Sequence, residues 1–297
     1  MYWQRLITIG CIACGMAWGP AALVAADADA IRQAVTFYAS FDEAVRGDFG
    51  GGALTPSTRT GVPGKPATYR FENGFDAKVF RIAKDQGIAG GALAPVDVLP
   101  DNGRIFFPLK GNLAYHKGGW DGTMSMWINL DPNQQLKTTF CDPIQITEKG
   151  AHDGALWFDF NNAKPRDMRM GAFPALTEGQ KPIPEDDPQA PMVRVPKVPF
   201  RAGDWHHIVI TWENLDSGKP NARVAFYVDG KLAGEVKDRA IAMNWDVDKA
   251  GIYTAINYVG LLDELALLNR ALTAAEVEML QCEPELFQPL KKTGTKR

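Results

Sequence analysis

Several short segments of this 297-residue chain alternate between apolar and polar residues with a period of two. The segment GTMSMWINL (122–130) places Met, Ile and Leu side chains on one face and Thr, Ser, Trp and Asn side chains on the other. Successive residues of a strand point to opposite faces, so this period indicates strands with one buried face. The 29 Gly and 20 Pro residues supply turns between strands. The pattern therefore predicts an all-β fold, and a single domain of this class can occupy the whole length.

The stretch 205–230 predicts two antiparallel strands and the start of a third. WHHIVITW and ARVAFYV both alternate, and Asp229-Gly230 after the second is the residue pair preferred in a two-residue type I′ turn. His206 and His207 are neighbours in a strand and therefore point to opposite faces. They therefore cannot both line one site without a bulge.

One helix is predicted after the N-terminal region. Thr273 and Glu276 in the sequence TAAE form a capping box, in which the two residues satisfy each other's backbone N–H groups. The box predicts a short helix over 274–281, directly after a last strand in LLDELALLN (261–269).

The first 26 residues have the composition of a secretory signal peptide. Arg5 precedes an apolar run at 6–18, and Val24 and Ala26 occupy the −3 and −1 positions of a cleavage site before Asp27. The run is short for an uncleaved membrane anchor, which needs about 20 residues. We therefore expect a secreted or periplasmic protein that keeps no membrane span after cleavage.

The charge balance gives no reason to expect a nucleic-acid partner. The whole chain has a net charge of −3, and removal of residues 1–26 takes away one Arg and no acid, which leaves −4. Binding to nucleic acid depends on clustered Lys and Arg that neutralise phosphates. The last segment, 284–297, contains a small basic cluster, and we interpret it as a solvated tail. The cluster consists of Lys291, Lys292, Lys296 and Arg297.

Residues 163–200 contain eight prolines and interrupt the alternating pattern. A proline inside a central strand removes a ladder hydrogen bond. We therefore predict a long excursion from the sheets, with one short strand at RDMRMGAF (166–173). Loops of this length in compact domains are usually functional or mobile.

Five motifs occur in the order found in a known family. They are SFDE (40–43), GTMSMWIN (122–129), DWHHIVITW (204–212), VAFYVDGKLAG (224–234) and GLLDELALLNRALTAAEVEML (260–280). In order and wording they resemble the laminin-G-like jelly-roll family of the concanavalin A-like lectin/glucanase superfamily. The resemblance implies a two-sheet antiparallel β-sandwich (jelly roll), one sheet concave, with one short C-terminal helix. We expect this single domain to occupy 27–283.

The same resemblance implies one structural calcium ion. Superfamily members often hold it between the region of the first strand and the last strand, and the matching residues here are Asp42, Asp48 and Asp263. Calcium is bound by carboxylate and carbonyl oxygens from loops. The alternative is that Asp42 and Asp263 cap backbone groups at turns and strand ends.

The sequence contains no catalytic motif that we recognise. Glycosidases of this superfamily carry E-x-D-x-x-E on one strand, and this motif does not occur here. Glycoside hydrolysis usually needs two carboxylates about 5–10 Å apart. We therefore predict no catalytic residue, while a hydrolase or lyase whose acids we do not recognise stays an alternative.

Exposed aromatic rings are the candidates for ligand contact, because sugars stack on them and bond to neighbouring polar groups. Trp120, Trp157 and Tyr227 are the candidate ligand-binding residues, and the alternative is that they pack the core. We expect a non-catalytic recognition module that binds carbohydrate. An adhesion module that binds an extracellular protein is the second possibility.

Two cysteines remain after residue 26, Cys141 and Cys282. An oxidising compartment permits a disulfide between them, which would close a loop of about 140 residues and stabilise the fold by a few kcal/mol. Two buried thiols are the equal alternative.

Overall fold

The structure is a computed structural model that describes residues 21–137 and 140–292 of the chain. Its strands, in chain order, are β1 (Val35–Ala39), β2 (Phe49–Gly50), β3 (Ser57–Val62), β4 (Lys65–Asn73), β5 (Phe80–Ala83), β6 (Ala92–Pro95), β7 (Arg104–Pro108), β8 (Trp120–Asn129), β9 (Cys141–Gly150), β10 (Asp153–Phe160), β11 (Met168–Phe173), β12 (Met192–Val195), β13 (Trp205–Leu215), β14 (Ala222–Val228), β15 (Lys231–Arg239), β16 (Gly251–Ile256) and β17 (Leu261–Leu268). Its helices are α1 (Ala21–Ala34), α2 (Pro132–Gln135) and α3 (Ala274–Cys282), followed by a 3-10 helix at Gln288–Lys292.

The strands form two antiparallel sheets. One sheet has nine strands in the order β15-β14-β13-β8-β17-β1-β2, with β6 paired to β17 and β5 paired to β6. The other has eight strands in the order β12-β11-β10-β9-β16-β7-β3-β4. Apolar side chains from both sheets form one continuous core between them. The predicted fold class, an all-β sandwich of two antiparallel sheets, is therefore confirmed.

The period-two alternation of 122–130 corresponds to the two faces of β8. Met124, Met126 and Ile128 lie in the core between the sheets. Trp127 points the other way and stacks on His207, with ring centroids 4.8 Å apart. The alternation therefore sets which face of this central strand is buried between the sheets.

Two local sequence signals form the structures that they predict. Asp229 and Gly230 join β14 to β15 with φ angles of 49° and 75°, the pair of positive values that a type I′ turn requires. At the start of α3, Thr273 Oγ1 accepts from the Glu276 N–H at 3.3 Å, and Glu276 Oε2 accepts from the Thr273 N–H at 2.8 Å. The hairpin and the capping box are both confirmed.

The proline-rich region contributes two strands to the eight-stranded sheet rather than one. β11 corresponds to the predicted strand, and β12 pairs with it in antiparallel register. The excursion is therefore the loop 174–191 between them. This loop packs Ile183 and Ala190 over the outer face of the sheet, against Trp157 and Phe173.

The structure contains a second long helix that the sequence analysis did not predict. α1 is rich in Ala, the strongest helix former, and it packs Ala28 and Ile31 on the outer face of the nine-stranded sheet. The cleavage site predicted before Asp27 lies inside α1, and residues 1–20 lie outside the described residues, so the signal peptide stays a prediction. No helix in the described part of the chain, α1 included, is long and apolar enough to cross a membrane.

The segment after α3 is docked on the protein through part of its length, so the prediction of a solvated tail is wrong for Lys291, whereas Lys292 is exposed. Leu286 and Phe287 are buried beside α1 on the nine-stranded sheet. Lys291 binds the carboxylate of Asp42. Residues 293–297, with Lys296 and Arg297 of the predicted cluster, lie outside the described residues.

No disulfide joins Cys141 to Cys282. Cys141 is buried at the start of β9 in the eight-stranded sheet, whereas Cys282 is exposed at the end of α3 on the other sheet. The structure therefore differs from both sequence alternatives, because only one of the two thiols is buried.

Candidate functional site

Trp120, the first predicted ligand contact, is a core residue. Its ring packs against Trp212 and Trp245, with centroid separations of 5.0 Å and 5.9 Å. Its indole Nε1 donates to Asp216 Oδ2 at 3.3 Å. The side chain is almost fully buried, so it presents no face on which a sugar could stack.

Trp157 and Tyr227 are buried as well, although both lie on outer faces of the sheets. Trp157 stacks on Phe173 with centroids 5.8 Å apart, donates to the Ala151 carbonyl at 2.7 Å, and is covered by the loop 174–191. Tyr227 belongs to the apolar layer beneath α1 and α3. The structure thus places all three candidates in packed interiors and does not support their assignment as ligand contacts.

The part of the protein that does expose aromatic rings is the other end of the eight-stranded sheet. On β7 and β16, Ile105, Phe107 and Ile252 point into the core. Strand alternation therefore turns Phe106 and Tyr253 to the outer face. This outer face is the one that faces away from the nine-stranded sheet.

Four rings form a row across β4, β7 and β16 on this outer face. Phe71 and Tyr69, on the edge strand β4, are 62% and 42% exposed. Phe71 meets Phe106 edge to face, with centroids 6.2 Å apart, and Phe106 meets Tyr253 at 5.1 Å. Gly251 keeps room for this contact, since a Cβ there would lie 2.8 Å from the Phe106 ring. The row is a continuous aromatic surface open to solvent at its β4 end.

Two arginines lie within the row. The guanidinium carbon of Arg59 on β3 is 4.2 Å from the Tyr69 ring centroid and 4.8 Å from that of Tyr253. Arg59 Nη1 also donates to the Tyr253 hydroxyl at 3.2 Å. Arg104 on β7 is the direct cross-strand partner of Arg59. We call this surface the aromatic–arginine patch, and it consists of Arg59, Tyr69, Phe71, Arg104, Phe106 and Tyr253.

Next to the patch, two acids on neighbouring strands are buried. Asp159 on β10 binds Arg169 through both carboxylate oxygens, with Oδ1 accepting from Nε at 2.8 Å. Asp142 on β9 lacks such a partner, and the side-chain amide of Gln145 donates to its Oδ2 at 3.0 Å. Burial raises the pKa of Asp159 to about 6 and the pKa of Asp142 well above its usual range.

These acids belong to a closed polar network at the covered end of the sheet. Arg169 also binds Glu185 from the loop 174–191, and Glu185 Oε1 is 2.9 Å from His152 Nε2. The bonds to His152 and Arg169 lower the pKa of Glu185 to about 2. Each charge in this network is paired within the protein, which favours a structural role over a catalytic one.

The three aspartates predicted to bind calcium accept hydrogen bonds from the protein itself. Asp263 takes the N–H groups of Ile88 and Glu264 at 2.8 Å and 2.9 Å, and burial raises its pKa to about 8. Asp48 Oδ2 accepts from the backbone N–H and hydroxyl of Ser40 at 2.7 Å and 2.8 Å. Asp263 therefore has the backbone-capping geometry of the alternative interpretation, and Asp48 has a similar one.

Asp42, the third aspartate, is neutralised by the C-terminal segment. It binds Lys291, and it also accepts from the Gly91 N–H at 2.8 Å. Next to it, Gln288 donates to Glu264 at 2.7 Å. Within 21–137 and 140–292, no group of three or more His, Cys, Asp or Glu side chains is arranged to hold a metal ion. The residues as arranged do not fit a calcium ion, and calcium binding stays a prediction that a melting experiment can test.

The adjacent histidines point to opposite faces, as predicted. His206 Nδ1 is 2.9 Å from Asp229 Oδ2, and its ring stacks on Phe200. His207 Nε2 is 2.8 Å from the Ser125 hydroxyl, and burial lowers the pKa of His207 to about 3. Both rings are held by the scaffold.

Two antiparallel sheets around one core, with an aromatic and polar outer face on one sheet, define a lectin-like jelly-roll sandwich. The model of the Laminin_G_3 family, described as the concanavalin A-like lectin/glucanases superfamily, matches residues 111–278. This match spans more than half of the chain, so the protein belongs to this family and the resemblance seen in the sequence is confirmed. No curated protein matches the sequence.

Solved structures with the same fold include domains of botulinum neurotoxin serotype D. Its binding domain has a TM-score of 0.52 and 12% sequence identity, with 87% of this chain and 53% of that chain covered. Its ligand-binding domain in complex with N-acetylneuraminic acid has a TM-score of 0.50 and 12% identity, covering 86% and 52%. This chain spans about half the length of these domains. At this identity the likeness shows the fold alone.

A third similar structure is domain 4 of AbnA, an extracellular arabinanase from Geobacillus stearothermophilus, in complex with arabinotriose. Its TM-score is 0.41 and its identity is 16%, with 83% of this chain and 98% of that chain covered.

Proposed function

We propose that this protein is a secreted or periplasmic, non-catalytic module that binds carbohydrate at the aromatic–arginine patch. The observation that carries the proposal is the aromatic row, with Phe71 and Tyr69 exposed on an edge strand. Exposed rings with polar groups beside them are the surfaces on which sugar rings stack. The hydroxyls of Tyr69 and Tyr253 and the arginine side chains provide hydrogen-bonding groups beside the rings.

The known use of the fold is compatible with this proposal. A neurotoxin domain of similar fold is described in complex with N-acetylneuraminic acid. Fold alone does not determine function, so the argument depends on the residues of the patch. The patch also explains why an antiparallel edge strand carries two large exposed rings, which would otherwise be a liability for aggregation.

The test is binding of the purified protein to a glycan array, followed by calorimetric titration of the best saccharide. Removal of the Phe71 ring (Phe71→Ala) should weaken binding about tenfold, which corresponds to about 1.4 kcal/mol. The melt should change little, because surface substitutions usually stay within about 0.5 kcal/mol. Leu232→Ala is the matched control, since Leu232 is also exposed (51%) but lies on β15 of the other sheet. It should leave the affinity unchanged.

Three results would contradict the proposal. If no saccharide binds, or if Phe71→Ala and Leu232→Ala bind alike, the patch is not the site. Sustained release of reducing ends or unsaturated products from a polysaccharide panel would contradict the non-catalytic assignment.

A rival site is the groove of 290 Å³ on the other side of β3 and β4, lined by Thr60, Glu72 and Leu99 among others. If Glu72→Gln loses binding while Phe71→Ala keeps it, the groove is the site instead of the patch.

A further inference from the structure

Arg59 and Arg104 form an unusual cross-strand pair. They are directly opposite each other on β3 and β7, and both point to the outer face of the eight-stranded sheet. Side chains in such a pair have their Cβ atoms about 5 Å apart, and like charges placed there destabilise a sheet. A stable sheet would be expected to place an acid or a neutral residue at one of the two positions. The sheet therefore carries a local electrostatic cost at the centre of the patch.

No carboxylate in the described part of the chain forms an ion pair with either guanidinium. Elsewhere in the same protein, Arg169 and Arg223 each bind two carboxylates. Arg59 is only 6% exposed, and its buried Nε has no hydrogen-bond partner. Among the described residues, the Arg59 side chain has one hydrogen bond, in which Nη1 donates to the neutral hydroxyl of Tyr253. The cost of this pair is therefore not offset by an acid held within ion-pair distance.

The surroundings of Arg104 also disfavour its charge. Burial, and then the neighbouring charge of Arg59, lower the pKa of Arg104. The acid that acts on it electrostatically is Asp142, whose own pKa is raised by burial and which is bound by Gln145. An anion that binds beside Arg104 would therefore interact with two cations, and no carboxylate of the described residues in ion-pair contact would compete with it.

We infer that the patch selects acidic saccharides, with a carboxylate or sulfate group held by Arg104, the charge of Arg59 behind it, and the sugar ring stacked on Phe71 and Phe106. This inference rests on the proposed function and names its ligand class. A guanidinium binds such oxyanions through paired N–H donors, and charge-assisted bonds of this kind are about twice as strong as neutral ones. The aromatic row supplies the apolar contact that a free inorganic anion would lack.

The experiment compares one sugar backbone with and without its charge. Calorimetric titration uses oligogalacturonate and its methyl ester, which differ in the carboxylate, and a carrageenan oligosaccharide, which carries sulfate instead. We expect the wild-type protein to bind at least one acidic probe about tenfold or more tighter than the methyl ester. The preference should shrink from about 0.1 M to about 1 M salt, as the Debye length falls from about 10 Å to about 3 Å. The two acidic probes distinguish carboxylate from sulfate as the recognised group.

Substitution then locates the preference. Arg104→Gln should abolish the preference, so that this variant binds the acidic probe and the methyl ester with similar affinity. Arg104→Lys keeps the charge and should keep part of the preference. The matched control is Arg70→Gln, because Arg70 is exposed on the edge strand β4 but points to the opposite face from Tyr69 and Phe71. This control removes the same charge and should keep the full preference.

The outcomes separate this inference from the function on which it rests. If wild-type protein binds the acidic probes and the methyl ester equally, at low and high salt, the acidic-sugar inference is wrong while carbohydrate binding stands. Equal loss of preference in Arg70→Gln and Arg104→Gln would also overturn it, since net charge rather than the patch would then be responsible. If no saccharide binds at all, both proposals fail. The wild-type preference and its salt dependence need no variant, so misfolding of Arg104→Gln would not leave the question open.

Discussion

The two ends of the outer face of the eight-stranded sheet use the same kinds of residue for opposite purposes. At the β10–β12 end, Trp157 and Arg169 are buried beneath the loop 174–191, and each charge meets a partner. At the β4–β16 end, Phe71 is exposed and Arg59 and Arg104 face each other without an acid in ion-pair contact. The two ends differ in whether a loop covers them. A loop converts one end into a satellite core, and its absence leaves the other end available for a ligand.

The largest expected effect is on the covered end. Trp157→Ala should lower the free energy of unfolding by about 3–5 kcal/mol, because truncation of a buried Trp leaves a cavity. The ring packs closely on Gly171, where a Cβ would lie 2.3 Å from it. Denaturant unfolding measures the loss, with Phe71→Ala as the open-end counterpart, expected within about 0.5 kcal/mol. Similar losses in both variants would show that the two ends do not differ in the way described.

Arginine substitutions should also affect stability differently at the two ends of the sheet. Arg169→Gln leaves Asp159 buried without its cation, and breaking a buried pair in this way costs about 3–5 kcal/mol. Arg104→Gln relieves a like-charge pair, so it should raise stability slightly, by less than about 1 kcal/mol at low salt. Thermal melts of the two variants at low and high salt check the prediction. A strong destabilisation by Arg104→Gln would mean that Arg104 holds the sheet together rather than a ligand.

The boundary between the two ends should respond to pH through Asp142. Its pKa is raised in the folded state, so the stability that it contributes is present below about pH 4 and is lost as the pH rises toward the folded value. Asp142→Asn mimics the protonated side chain. Over this range its free energy of unfolding should therefore increase relative to that of wild type, by at most about 1.4 kcal/mol per pH unit. Urea unfolding from pH 4 to pH 8 measures the difference, with exposed Asp97→Asn as control. Parallel curves for wild type and Asp142→Asn would show that this carboxyl is not perturbed.

The smallest effect is expected for calcium on the melting temperature of the wild-type protein. Lys291 of the C-terminal segment already neutralises Asp42. Melts in calcium and in chelator should nearly coincide. Lys291→Gln removes this cation, and its melt should become more dependent on calcium than that of wild type. If the wild-type melt itself rises in calcium, and Asp263→Ala abolishes the rise, the calcium site predicted from the sequence is present.

The sequence predicts those parts of the structure that depend on local patterns. The alternation in β8 and the Asp229-Gly230 turn each depend on a few neighbouring residues. Burial of Trp157 depends instead on a loop that begins 17 positions later, so its outward-facing position in a strand gave the wrong expectation.

The candidate site was missed for a related reason. Tyr69 and Phe71 share a face at i and i+2 in ATYRFENGF, a signal that was available from the sequence. That this strand lies at a sheet edge depends on topology. Arg59 and Arg104 pair across two strands, and Asp142 and Asp159 lie on two neighbouring strands, so no single-strand motif contains either pair.

The position of β1 has a consequence for the order in which the protein can fold during synthesis. β1 lies in the nine-stranded sheet beside β17, with Val35 opposite Leu268, so its principal partner is made more than 200 residues later. The β13–β14–β15 hairpins, by contrast, close between neighbours in the chain. Pairings between such distant segments form slowly and leave strand edges open in the meantime. A ribosome must therefore release the chain as far as β17 before the first strand meets its principal partner, and a nascent chain stopped before residue 261 keeps an unfinished sheet.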